Sequence, residues 1–384
     1  MFIEIPKYIK DALNMLKEAG YKAYIVGGCV RDALLNKKPN DWDICTSALP
    51  EKTCEVFKDF NLVTSGIKHG TVCVIINHLP VEITTFRIDG NYKDSRRPES
   101  VTFSPSIDED LKRRDFTINA MAYADEEIID LHSGQDDLEN KIIRTVGIAK
   151  DRFNEDALRI MRALRFAGQL GFKIEESTKQ AILDQKDLLK NISAERITDE
   201  FVKLVMSDNC FDILKEYESV IKVFLPSFRV PSTVKLNDDL TLRLSYILSA
   251  SEPQNMFRIL KLPKAVTSDI KVITSNLIYK IPETKKETKY MLGKFGTKLS
   301  CNILKFKALL GESTQSAIKL VQEVINNNEC YSTKQLNISG NDLIDLGFKG
   351  TLIGTILNSL LEAVIEDKVK NTKRDLIEYI KKGM

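Results

Sequence analysis

Asp41 and Asp43 flank Trp42 in the segment DWDIC. In a strand, a period of two puts both carboxylates on one face and the indole on the other. Two carboxylates so close repel each other unless a cation stands between them, and hard oxygen ligands suit Mg2+. Just upstream, YIVGG reads as a strand running into a two-glycine turn, with a helix beginning near CVRDALL. Glycines there let the backbone approach a phosphate, and the free N–H groups at a helix start favour an anion. Arg31 adds a guanidinium able to grip phosphate with two parallel N–H bonds. Glu82 opens the alternating segment EITTF, and in a strand beside DWDIC it supplies a third carboxylate. Such a set, holding two metals about 4 Å apart, suits an in-line displacement of pyrophosphate by a hydroxyl. The ordinary alternatives are a tight turn at the glycines, with Asp41 capping a loop and Asp43 solvated.

These residues need a sheet to hold them, and the first third of the chain mixes strand and helix signals. KAYIV, WDICT, TVCVII and VEITTF are strand candidates, with short helical stretches between them. From about residue 145 the strand signals fade. NEDALRIMRALRFAGQLG, SAERITDEFVKLVM, TLRLSYILSA and IGTILNSLLEAVIEDKV carry helical spacing instead, so the fold class is α+β in front and all-α behind. At 384 residues the chain is long for one core and calls for several domains, joined by short turns because no Pro/Ser-rich linker or repeat is present. Seven scattered cysteines, never spaced C-x-x-C, provide neither a disulfide framework nor a zinc site and fit a reducing cytoplasm. The amino-terminal segment has no signal-peptide core, and no run of about 20 apolar residues suggests a membrane span. Lys and Arg number 56 against 54 acidic residues, a balance that excludes neither nucleic acid nor a small-molecule partner.

The motifs GGCVRD, DWDICT, GIKHGTV, VEITTFRIDGNYKDSRRP, LKRRDFTINAMAY and NEDALRIMRALRFAGQLGF, in that order, resemble those of the class II CCA-adding tRNA nucleotidyltransferases. The likeness runs through residues 21–175, and NISGNDLIDLGFKGTLIGTIL repeats it more faintly near the end. It implies a mixed-sheet nucleotidyltransferase head of the DNA polymerase beta superfamily over residues 1–143. A helical neck (144–208), body (209–275) and tail (276–384) follow. It also implies CCA addition to tRNA from CTP and ATP without a nucleic-acid template, with Mg2+ as cofactor and no stable protein partner. Asp41 and Asp43 would then be metal ligands, Glu82 the third catalytic carboxylate, and Gly28 and Arg31 the grip on the triphosphate. Arg114 matches a nucleotide contact. Asp115 and Asn119, four apart on a presumed helix, would reach the ribose hydroxyls.

On a single helix through EDALRIMRALRF, Asp156, Arg159, Arg162 and Arg165 form one slanting stripe, opposite Ala157, Ile160, Met161 and Leu164. Leu158, Ala163 and Phe166 fall among the arginines, which suits a cleft wall better than a solvated face. The alternative is an outer face laced with i,i+4 pairs such as Glu155 to Arg159. The resemblance assigns base reading to Asp156 and Arg159, an acceptor beside a donor that fits the amino group and ring nitrogen of C and A and opposes G and U. Arg162 and Arg165 would bind phosphate. RIDGNYKDSRRPES, residues 87–100, has the character of a mobile loop, where the family carries a segment needed for adding A.

Between Arg258 and Lys307 there are 12 basic and three acidic residues. Such a run is either a solvated face or an RNA surface, and Lys285, Lys286 and Lys289 are its candidate RNA contacts. SGNDLIDLGFKG adds a glycine-containing turn between helices, able to offer backbone N–H groups to phosphate. A bacterial poly(A) polymerase, an A-only tRNA finisher and a catalytically silent RNA-binding protein on the same scaffold are the competing readings.

Overall fold

The computed structural model describes residues 3–90, 101–236, 238–251 and 253–383. The chain forms two compact units, one of residues 1–230 and 254–261, the other of residues 231–253 and 262–384. The expected boundaries at 143 and 208 fall inside the first unit, and the one at 275 inside the second.

In the first unit, helix α1 (Lys7–Glu18) packs its apolar stripe inward through Ile9, Ala12, Leu13 and Leu16. Strand β1 (Ala23–Val26) then turns at Gly27 into helix α2 (Gly28–Leu34), and β2 (Asp43–Thr46) follows. After α3 (Pro50–Val56) come β3 (Asn61–Val63), β4 (Thr71–Ile76) and β5 (Leu79–Thr85). The short strands β6 (Arg87–Asp89) and β7 (Val101–Phe103) pair with each other apart from the main sheet. Helix α4 (Ile107–Lys112) precedes β8 (Met121–Ala124) and β9 (Glu127–Asp130).

Seven strands make one mixed sheet in the order β3-β4-β5-β2-β1-β8-β9. Every pairing is antiparallel except β2 with β5, so the centre of the sheet holds its one parallel seam. TVCVII and VEITT alternate as half-buried strands must, with Val72, Val74, Val81 and Ile83 inside. MAYA in β8 is buried along its whole length and shows no alternation.

Helices α5 (Gly134–Glu139), α6 (Ala149–Glu155), α7 (Leu158–Leu170), α8 (Glu176–Gln185) and α9 (Ala194–Val205) continue the unit. The helical part is not purely helical: Ile142–Ile143 and Lys173–Ile174 form a two-stranded parallel patch, too short to show a period. Helix α7 is enclosed enough that Arg159 and Arg165 are each only 8% exposed.

The second unit is helical. Its longest helix, Lys285–Leu309, opens with a Thr284–Glu287 capping box and breaks at Gly296, whose φ is 75°. Near the carboxy terminus, Gly347 and Gly350 at φ 93° and 61° turn the chain between helices Gly340–Asp345 and Thr351–Ile365. Leu343, Ile356, Leu360 and Leu376 build the core beneath them. Among the described residues, no helix is long and apolar enough to cross a membrane.

Candidate active site

Strand β2 begins at Asp43, one turn of the pleat later than expected, and Asp41 lies ahead of it. The reason is β1, whose register pairs Ile25 with Ile44 and which then bends away at Gly27, leaving Asp41 without a ladder partner. Burial still alternates: Asp41 and Asp43 are exposed while Trp42 is buried. Across the parallel seam Asp43 stands in register with Glu82, which occupies the middle of β5 and not its start.

The Asp43 carboxyl is pushed up to about 6, first by its dense surroundings and then by Glu82 and Asp41, with Arg114 pulling the other way. It is reached by solvent, yet the protein atoms around it leave its charge poorly hydrated. Among the described residues no three His, Cys, Asp or Glu side chains already stand at metal-holding distance. Glu82 and Asp41 both oppose the charge on Asp43, a mutual repulsion among hard oxygen donors that a dication would relieve, which fits Mg2+.

Sequence reasoning singled out Gly28, but Gly27 is the position that only glycine fits. Its φ of 79° and ψ of −131° lie outside ordinary L-residue space, and a Cβ there would stand 2.9 Å from Arg114 Nη1. A Cβ at Gly28 would meet only Arg31 Nη2, at 3.6 Å. Arg114 is held from behind by Asp110, a fully buried carboxylate that also accepts from Arg113. Burial pushes Asp110 up, yet Arg114 and Arg113 overcome it and hold the carboxyl below its ordinary range. Asp110 was missed, although its i,i+3 and i,i+4 spacing to Arg113 and Arg114 was a usable signal.

Asp115 and Asn119 do not share a helix. The chain leaves α4 after Lys112 and makes only a 3-10 turn over Thr117–Asn119, because Phe116 bridges to Thr145. The two still meet, Asn119 Nδ2 donating to Asp115 Oδ1 at 3.1 Å. Arg31 Nη1 donates to Asn119 Oδ1 at 2.7 Å, and Arg162 donates to Asp115 Oδ2 through Nε (2.8 Å) and Nη2 (2.5 Å). A polar chain thus runs from α2 to α7. Burial raises the Asp115 carboxyl, but Arg162 and Asn119 outweigh it and bring it to about 2.

The stripe on one helix is corrected too. Asp156 separates α6 from α7 with extended backbone (φ −140°, ψ 101°), and its Oδ1 accepts from the Leu158 N–H at 3.1 Å. An Asp competes well for a backbone N–H at a helix start, and that breaks the run. Its Oδ2 accepts from Arg196 Nη2 on α9 at 2.9 Å. Arg159 pairs with Glu155 at 2.6 Å, as the alternative had it, but in a buried place, and also donates to the carbonyls of Arg152 and Arg113. Arg165 faces Glu200 at 3.0 Å, a buried carboxylate on α9 that sequence reasoning did not find.

In the second unit the three lysines are all paired. Lys285 and Lys289 share Glu329 at 3.0 and 2.9 Å, and Lys286 reaches Glu366 at 2.6 Å. Lys289 is buried, whereas the other two are exposed. Of the expected loop at 87–100, residues 91–100 lie outside the described residues.

Residues 23–144 match a family described as Poly A polymerase head domain. Residues 171–228 match "Probable RNA and SrmB- binding site of polymerase A", and residues 236–380 match tRNA nucleotidyltransferase domain 2. The CCA-adding enzyme of Lactobacillus delbrueckii subsp. bulgaricus is 38% identical over 384 residues, covering 96% of each chain. That of Geobacillus sp. is 38% identical over 387 residues, covering 96% of this chain and 95% of its own. The crystal structure of the Bacillus stearothermophilus CCA-adding enzyme in complex with CTP superposes with a TM-score of 0.78 at 31% identity, over 98% of both chains. From the glycine turn to the final helices, then, the chain belongs to the class II CCA-adding enzymes, tRNA nucleotidyltransferases built on a poly(A) polymerase head.

Proposed function

We propose that this protein adds the 3′-terminal CCA to tRNA from CTP and ATP, without a nucleic-acid template, by Mg2+-dependent nucleotidyl transfer that releases pyrophosphate, in the cytoplasm. The observation that carries the chemistry is the register of Asp43 with Glu82, with Asp41 beside them and the Asp43 carboxyl raised first by its dense surroundings and then by the charge of these two neighbours. Asp41 and Asp43 would hold Mg2+, with Glu82 the third carboxylate, and the ion would supply Lewis-acid stabilisation of charge on the reacting phosphate. Gly28 and Arg31 take the triphosphate at the start of α2, and Arg162 and Arg165 bind its phosphates from α7. Arg114, Asp115 and Asn119 border the nucleotide and fix the geometry between the two helices.

Base choice falls to Asp156 and Arg159. A guanidinium has five N–H donors, and three of those on Arg159 are spent on Glu155 and two carbonyls. That leaves Nε–H and one Nη2–H to donate to a ring nitrogen. Each Asp156 oxygen accepts one protein N–H and retains a lone pair for an exocyclic amino group. G and U would leave the buried Arg159 and the half-buried Asp156 facing like partners, and unpaired polar groups in an enclosed site can raise discrimination to about 10⁴ to 10⁵.

The assignment divides the chain into a catalytic head (1–143), a base-reading neck (144–208), and a body (209–275) and tail (276–384) that hold tRNA. Lys285 and Lys286, both exposed, can exchange their half-buried carboxylate partners for phosphate, while Lys289 serves the fold. The test is single-nucleotide incorporation on tRNA ending before the first C, between the two Cs, and after CC, with each NTP. Growth by C, C and A in turn supports the reading. Incorporation of A alone would make the protein an A-only finisher, unlimited A a poly(A) polymerase, and no incorporation a silent scaffold.

A further inference from the structure

Phe166 follows Arg165 on α7, the one large aromatic among the arginines of that helix, and it is 6% exposed. Three guanidinium groups converge on its ring. The Cζ of Arg165 is 4.1 Å from the ring centroid, that of Arg31 5.0 Å and that of Arg162 5.3 Å. Arg31 arrives from α2 and the other two from α7, so this ring is where the cations of the two helices meet. Phe116 packs against the same ring edge-to-face, with centroids 5.8 Å apart and planes at 81°, and fixes its orientation.

Cations gathered so closely oppose one another. Arg165 is brought down to about 10 by burial first, with Arg162 and Arg31 adding to the fall and Glu200 and Asp115 resisting it. Each arginine has a carboxylate to one side, Asp32 for Arg31, Asp115 for Arg162 and Glu200 for Arg165. Glu200 also lies 3.9 Å from Arg162 and so joins the two arginines of α7, while Asp32 neighbours Arg31 in sequence and holds it alone. The electron-rich ring of Phe166 is the group over which all three guanidiniums lie. A core position at this depth needs only apolar volume, and leucine would supply it without attracting any cation.

We propose that Phe166 is a positioning residue for the incoming nucleotide: its ring gathers Arg31, Arg162 and Arg165 into one cationic cluster before the triphosphate arrives. The inference rests on the reading of those arginines as phosphate contacts. Binding then avoids the cost of assembling three mobile cations around the polyphosphate, and the benefit appears as affinity.

The experiment replaces Phe166 in the full-length protein by 4-fluoro-, 3,5-difluoro- and 3,4,5-trifluorophenylalanine, which keep the ring's shape while stepwise emptying its face of negative potential. Binding of inorganic tripolyphosphate is measured by calorimetry in EDTA, so that only the protein's own cations are read. Its dissociation constant should rise with each fluorine, to about tenfold for the trifluoro ring. The KM for CTP and ATP should rise in parallel, with the effect on KM and not on kcat, and restoring phenylalanine should restore both. Flat affinity across the series would overturn the inference and leave Phe166 as core filling. Arg31→Gln and Arg165→Gln are measured alongside. If both bind tripolyphosphate as the unaltered protein does, the phosphate reading of the arginines fails instead. If both lose binding while the fluorine series stays flat, the role given to Phe166 alone is wrong.

Discussion

Replacing Gly27 by alanine should damage stability and catalysis by two separable routes. The first is backbone strain. With φ at 79° and ψ at −131°, an L-residue occupies a region reserved almost wholly to glycine, at a cost of about 1–3 kcal/mol. For a unit of this size, roughly 2–4 °C of melting temperature is lost per kcal/mol, so the melt should fall by about 2–12 °C. The second is displacement. The new Cβ would stand 2.9 Å from Arg114 Nη1, the far end of a side chain that can yield, so Arg114 moves and the fold survives. Arg114 lowers the Asp43 carboxyl by its charge, and if its displacement costs one charged hydrogen bond to the nucleotide, about 1.5–3 kcal/mol, kcat/KM falls roughly ten- to a hundredfold for both CTP and ATP. Thermal melting and single-nucleotide addition read the two routes. Gly28→Ala, which gains helix propensity and meets no close neighbour, should melt at or slightly above the unaltered protein. In an Arg114→Ala background, Gly27→Ala should cost stability and little further activity. A Gly27→Ala protein with unchanged melting and unchanged kcat/KM would refute the argument on both counts.

Asp41→Ala and Asp43→Ala should each abolish addition of C and of A while leaving tRNA affinity nearly unchanged, and appreciable turnover with Mg2+ would remove the metal role. Asp156→Ala should let GTP and UTP be used, about tenfold or more per lost hydrogen bond, because the carboxylates at Asp41, Asp43 and Glu82 are untouched; loss of CTP use with GTP still refused would make Asp156 structural. Lys285→Gln together with Lys286→Gln should flatten the salt dependence of tRNA binding by roughly 0.7 to 0.9 log units per contact, whereas Lys289→Gln should lower the melting temperature and leave the slope alone. Glu329 is raised by burial but held at about 2, against an ordinary 4.5, by Lys289, Lys285 and Asn327. A depressed carboxyl contributes stability that is whole above about 4.5 and is lost as pH falls from there toward about 2. Glu329→Gln should therefore be less stable at neutral pH and lose less on acidification; an unchanged acid limb in the melting curves would show the ion pair to be idle.

Much of the head was legible because its strands obey a period of two. TVCVII and VEITTF declare themselves, and once β2 and β5 are strands a parallel pairing brings Asp43 and Glu82 level. What misled was local competition for backbone groups. A helical period through Asp156 is real in the sequence, but the carboxylate captures the Leu158 N–H and starts a new helix there. Asp115 and Asn119 look like i,i+4 neighbours on a helix, yet a long-range bridge to Thr145 holds Phe116 extended and leaves only a 3-10 turn after it. Gly27 and Glu200 acquire meaning only through partners far along the chain, which spacing cannot supply, whereas Asp110 stands three and four residues from Arg113 and Arg114 and was readable. The basic run counted correctly but hid its neutralisation, since Glu329 and Glu366 lie well beyond it. Phe166 was visible as an apolar residue among arginines; the convergence of Arg31 on it was not.

The path of the chain bears on how the protein can be dissected and made. After residue 230 it departs to begin the second unit, and residues 254–261 return to complete the first. Within that returning segment Met256 and Leu260 are 0% and 1% exposed. Translation therefore delivers the last piece of the catalytic unit only after a stretch of the other unit has emerged, so a nascent chain halted near residue 230 exposes an unfilled apolar seat. A gene cut at that point should express a poorly soluble fragment, and a graft joining residue 230 to residues 254–261 through a short linker is the smallest single-chain design that keeps those two side chains buried.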